Sequence, residues 1–143
     1  MRRFKKMELK ILRLIIIIIF SFGMFTACSF DKNYGDQLPP GFPSSIPIIE
    51  GKIEDSRSTT FEDGKGYVIG IRTPNSYEDT IKFYKEAFKT KGDAAKFTQA
   101  TNMSGTSEKV MAVEASQGIN TIAMEIVSGE GSSYVNIAVH LGK

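Results

Sequence analysis

Past Gly92 the chain repeatedly alternates bulky apolar side chains with smaller or polar ones, and short turn-forming stretches interrupt the alternation. Met111, Val113 and Ala115 share one parity; Ile122, Met124 and Ile126 follow the Gln117-Gly118 turn; Val135, Ile137, Val139 and Leu141 follow Ser128-Gly129-Glu130-Gly131. A period of two places each set on one face of a strand, and connections this short join antiparallel neighbours. Ala94 to Thr101 adds a further candidate strand before a turn at Ser104-Gly105-Thr106. Upstream, Tyr67, Ile69, Ile71 and Thr73 alternate against Val68, Gly70 and Arg72 after the turn signal Asp63-Gly64. Ile46 to Ile53 can hold a short lead-in strand, with Pro47 confined to its edge or start.

One helix is predicted, over residues 76 to 91. Pro74 precedes it, Asn75 or Ser76 can cap it, Glu78 or Asp79 can complete a capping box, and Gly92 supplies the stop. At 100° per residue, Tyr77, Ile81, Tyr84 and Phe88 fall within about 60° of one another, a stripe that faces a core. Glu78 and Asp79 lie at the positive end of the dipole and Lys85, Lys89 and Lys91 nearer the negative end, so these charges support the helix and need no catalytic role. The expected fold is therefore α+β: an antiparallel sheet of four to six strands with one helix packed on one face, spanning residues 48–143.

The first 27 residues have a different character. Arg2, Arg3, Lys5, Lys6, Lys10 and Arg13 face only Glu8, a balance of +5, whereas the remaining 12 basic and 15 acidic residues give −3. The chain's formal net charge of +2 thus comes from its leader. Leu14 to Cys28 is an uncharged run of 15 residues, about 22 Å of helix against a hydrocarbon core of about 30 Å, too short to span comfortably. A basic start, an apolar stretch and then Thr26-Ala27-Cys28 follow the three-part layout of a secretory signal, so what comes after is expected outside the cytoplasm.

Phe25-Thr26-Ala27-Cys28 resembles the lipobox of bacterial lipoproteins, although that family usually carries Leu, Val or Ile where this chain has Phe25. The resemblance implies a signal peptide over 1–27, cleavage between Ala27 and Cys28, and a diacylglyceryl group on the Cys28 thiol. Ser29, following the lipidated residue, is compatible in that family with transfer to the outer membrane. A single acyl chain holds only reversibly and two or more hold stably, so an exported domain without a span would stay on the cell membrane or outer membrane through its lipid. Leu38 to Ile48, Thr73-Pro74 and Phe83-Tyr84 are similar to segments of small uncharacterised bacterial envelope lipoproteins, for which the resemblance implies export and fold rather than an active site.

Residues 28–47 are expected to be the lipidated Cys28 and a tether. Four of the five prolines (Pro39, Pro40, Pro43 and Pro47) lie there without apolar periodicity, and 19 residues in the polyproline conformation reach at most about 60 Å.

Composition narrows the chemistry. One Cys and one His cannot supply a disulfide or a structural zinc site within the chain, and no cofactor motif is present. No Lys/Arg stripe interleaved with aromatics marks a nucleic-acid surface. His140 has no nucleophile or carboxylate predicted beside it, Gly64-Lys65-Gly66 lacks the spacing and setting of a phosphate loop, and Glu54-Asp55 and Glu62-Asp63 do not make a calcium loop. No catalytic residue is therefore assigned. The sheet face opposite the core is expected to show Val110, Ala112, Glu114, Thr121, Ala123, Glu125, Tyr134, Asn136, Ala138 and His140. This face carries less charge than most solvated ones, and Ala112, Ala123, Tyr134 and Ala138 are its candidate interaction residues. The expected protein is a non-catalytic lipoprotein presenting a binding module to an envelope protein or small ligand. The alternative is a small envelope hydrolase or an inhibitor of one.

Overall fold

The computed structural model describes residues 32–100 and 108–143. Its strands are β1 (Lys32–Asn33), β2 (Lys52–Phe61), β3 (Gly64–Thr73), β4 (Ala94–Ala100), β5 (Val110–Gln117), β6 (Asn120–Ser128) and β7 (Ser133–Gly142), with helix α1 (Tyr77–Lys91) between β3 and β4. They form one sheet in the order β1-β2-β3-β7-β6-β5-β4, every neighbouring pair antiparallel.

Helix α1 forms where its signals lie. The Ser76 hydroxyl accepts the Asp79 N–H at 3.1 Å, and Gly92 closes the helix at φ 73°, a conformation that a Cβ would oppose. The predicted stripe buries Tyr77, Tyr84 and Phe88 in the core, with Ile81 packed against them. These side chains meet Val113, Ile122, Met124, Ile126, Val135, Ile137 and Val139 from the alternating strands, together with Tyr67, Ile69 and Ile71. Alternation thus sorts the sheet into a dry face under the helix and an outer face.

The sheet has seven strands, so the expected count of four to six was too low, although one helix on an antiparallel sheet remains compatible with the α+β class. β2 hides from a pattern search because its inward positions include the small polar residues Ser56 and Ser58, opposite Ile69 and Tyr67. A register shift between Ile53 and Asp55 further breaks the parity along the strand. β1 is only two residues long and has no periodicity to detect. No strand precedes Lys52 in the expected lead-in at Ile46 to Ile53.

The Pro-rich stretch also differs from an extended tether. From residue 32 onward it lies on the sheet. The Tyr34 N–H donates to the Ser56 carbonyl at 2.8 Å, Phe42 meets Tyr67 edge-on at 5.6 Å between ring centres, and Ile46 and Ile49 are buried. Pro39 and Pro43 begin tight turns, their carbonyls accepting the N–H groups of Phe42 and Ile46. The Ile49 N–H donates to the Tyr84 hydroxyl at 3.4 Å, and Lys91 Nζ donates to the Ser45 carbonyl, so the stretch is bound to the helix as well. Residues 28–31 lie outside the described residues.

Replacing Ile46 by Ala is expected to cost about 2–5 kcal/mol, the range for large-to-small changes in a core. The urea midpoint of unfolding reads this; an unchanged midpoint would return the segment to a free tether. Burial pushes the Tyr84 phenol far above its ordinary range, against the smaller opposing effect of the Ile49 N–H. The folded chain therefore keeps a proton that the unfolded chain releases near pH 10, so this part of the stability is intact below pH 10 and falls as pH climbs past it. Unfolding free energies measured from pH 9 upward should show that decline in the native chain and a shallower one in Tyr84→Phe.

Candidate functional site

On the outer face, cross-strand register sets small residues side by side. Ala123 of β6 pairs with Ala138 of β7, which pairs with Val68 of β3, and the next row runs Thr121, His140, Gly66 and Thr59. Two rows of short side chains leave a trough in a sheet otherwise covered by longer ones. Its floor is Ala123, Ala138, Val68 and Gly66, its sides include Thr59, Phe61, Thr121 and His140, and its volume is about 310 Å³.

Gly66 determines the shape of one wall. A Cβ placed there would come within 2.7 Å of the Phe61 ring and 3.2 Å of the Thr59 methyl, so the missing side chain lets Phe61 lie down across β3. The ring sits 5.7 Å from the His140 imidazole at an angle of 52°. Gly70 does the same for Tyr134, whose hydroxyl occupies the space a Cβ would need. The Arg72 guanidinium lies 5.6 Å from the centre of the Tyr134 ring and donates to both carboxylate oxygens of Glu54, at 2.9 and 3.2 Å. That fork holds the Glu54 carboxyl below its usual range. Burial first, and then the charges of Asp55 and Glu54, push the Tyr134 phenol up and keep it a neutral donor.

The candidate interaction residues divide. Ala123 and Ala138 meet in the floor of the groove. Ala112 stands one row away opposite Glu125, and Tyr134 lies at the far end of β7 beside Arg72 and Val127. Ala27 and Cys28 fall outside the described residues. Thr59 and Phe61 escape a pattern search because β2 does not read as a strand, and Gly66 and Val68, on β3, join the groove only through their register with β7. The one legible hint was the pair of glycines on the outer parity of β3.

His140 does have a carboxylate beside it, contrary to expectation: its Nε2 lies 3.3 Å from Asp63 Oδ1 across the β2–β3 turn. The Asp63 side chain is 77% exposed, so water screens this pair. Among the described residues no hydroxyl or thiol hydrogen-bonds the imidazole, and no group of three or more His, Cys, Asp or Glu residues could hold a metal ion. The pair can anchor the wall of the groove or offer a hydrogen bond to a ligand; it lacks the nucleophile that acyl transfer requires.

A second cleft of about 280 Å³ lies at the start of α1, between Ser76, Tyr77, Lys109, Ser128 and Ser132. Glu78 already engages Lys109 there at 3.1 Å, which takes up its cation. A recess of about 360 Å³ at Ala94–Lys96 and Glu114–Ser116 lies at the sheet's outer edge, where Lys96 and Glu114 are cross-strand partners. The groove differs from both in its apolar lining.

No protein-family model matches this chain, and a search of the curated proteins finds no match either.

Replacing Gly66 by Ala is expected to lift the Phe61 ring away from β3 and separate it from His140, at a cost of about 1–3 kcal/mol for overpacking. Nuclear Overhauser contacts between the two rings would be lost. Their persistence would mean that the glycine does not shape this wall.

Proposed function

We propose that this chain is an extracytoplasmic lipoprotein, anchored through Cys28, whose α+β domain binds a ligand without transforming it. The leader supports the anchoring: six basic residues, an apolar run and Phe25-Thr26-Ala27-Cys28 stand in the order that export and lipidation need. The observation that carries binding is the outer groove. Its floor is carbon-rich where a solvated strand would project charge, and Thr59, Thr121 and His140 supply a few polar groups at its sides. Such a site suits a small, largely apolar ligand carrying one or two hydrogen-bonding atoms.

A small hydrolase, or an inhibitor of one, is the second reading, favoured only by the His140–Asp63 contact. The exposure of that pair and the absence of a bonded nucleophile among the described residues weigh toward binding.

The mass of the mature N-terminal peptide tests cleavage and acylation together: an acylated Cys28 is expected, and Cys28→Ser should release the chain from the membrane fraction. A bare Cys28 thiol in mature protein would overturn the anchoring. For the groove, a dansyl-labelled fatty acid is the probe. Ala123→Arg and Ala138→Arg should each reduce its binding at least about tenfold, the effect of burying a charge in an apolar floor. Equal binding by both variants would remove the groove as the site.

A further inference from the structure

Among the described residues Leu38, Phe61 and Ile119 are large apolar side chains that stay exposed, Phe61 in part because its ring lies across β3. Scattered singly over a surface they would need no explanation. Phe61 and Ile119 lie instead together at one end of the sheet. Phe61 is in register with Gly64, Gly64 with Gly142, and a Cβ at Gly142 would lie 3.1 Å from the Ile119 side chain.

Lys32, the first described residue, lies toward this end. β1 runs antiparallel to β2 with Lys32 opposite Ser58 and Asn33 opposite Arg57, so Lys32 stands three positions along β2 from Phe61. Cys28 is four residues before Lys32. At about 3.3 Å per residue those four residues span no more than roughly 13 Å even when fully extended. Because the described fold already includes residue 32, the leash is short. An acylated Cys28 would hold this end within that distance of the lipid headgroups.

Charge is distributed in the same sense. The C-terminal end of α1, with Lys89 and Lys91, is at this end, because Lys91 bonds Ser45 and Asp93 accepts from Gln117 just before the β5–β6 turn. Lys65 and Lys143 join them, facing Glu62, Asp63 and Asp93. The opposite end carries Glu50, Glu54, Glu78, Asp79, Glu108 and Glu130 against Lys52, Arg72 and Lys109, the last two engaging Glu54 and Glu78. An anionic bilayer would therefore repel the far end more than the near one.

We propose that Phe61 and Ile119 form a seat on the lipid bilayer, with the β2–β3 and β5–β6 turns against the headgroups and the start of α1 pointing away. The seat rests on the anchoring through Cys28 proposed above. Phe61 and Ile119 enter the interfacial region, and the neighbouring lysines reach lipid phosphates. The anchor supplies retention and the seat supplies orientation.

The test uses the full chain, exported and processed in cells, purified in detergent and placed in vesicles of phosphatidylethanolamine and phosphatidylglycerol. Acylation of Cys28 consumes the only native thiol, so Ile119→Cys and Glu130→Cys each offer one labelling position, both exposed. An environment-sensitive dye at position 119 should shift to the blue and lose most of its emission to lipids bearing shallow nitroxide quenchers. The same dye at position 130 should keep its emission. Equal quenching at the two positions, or quenching at 130 alone, overturns the seat. The mass of the same preparation separates the two ideas: an acylated chain with an unquenched label at 119 overturns the seat alone, whereas a chain without acyl mass overturns the anchoring and the seat with it.

Discussion

A single helix cannot shield a sheet this wide. Fifteen residues of α-helix are about 22 Å long and about 10 Å across, whereas seven strands spaced about 4.8 Å apart extend roughly 29 Å. Helix α1 packs over β4 and β6. The inner face of β2 and β3 would then be open to water, with Tyr67, Ile69 and Ile71 exposed on it. Phe42, Ile46 and Ile49 cover that half, and the prolines around them turn the chain where it must bend to do so. The Ile49–Tyr84 hydrogen bond ties the two covers together along their seam. The Pro-rich segment is thus part of the fold's roof.

Legibility in the sequence tracked how strongly each element was buried on one face. β5, β6 and β7 alternate plainly because their inner residues meet the helix while their outer ones face solvent. The helix was readable end to end, from Ser76 to Gly92, because its caps are local chemistry. β2 was not, since its inner positions Ser56 and Ser58 are small and polar: the Ser58 hydroxyl lies 3.2 Å from the Tyr34 hydroxyl, and the buried Ser56 hydroxyl has no hydrogen-bond partner among the described residues. The role of the prolines was misjudged for a related reason. A proline cluster looks the same whether it extends a chain into water or bends it over a core; Ile46 and Ile49 decide between these, and their contacts are long-range.

The groove was half legible. Ala123 and Ala138 could be placed on the outer face from parity alone, but their pairing with each other and with Val68 depends on β7 lying between β6 and β3. The wall contributed by Phe61 depends further on a glycine in the neighbouring strand. Small residues in register and an aromatic ring laid flat are tertiary facts, and each arises from side chains that are absent. Such a site leaves a weak trace in composition: the outer face merely looks less charged than usual.

The placement of β7 imposes an order on assembly. This strand follows the other six in sequence, yet it is the middle of the sheet, zipped to β3 along all ten residues from Ser133 to Gly142. Until it arrives, the β2–β3 hairpin and the β4–β6 strands are two unsealed fragments with no shared edge. A chain delivered from its N-terminus would hold both fragments open until β7 had emerged. Contacts so distant along the chain are slow to form, and unpaired edges invite aggregation meanwhile. The native topology can close only once β7 is free to enter between β3 and β6.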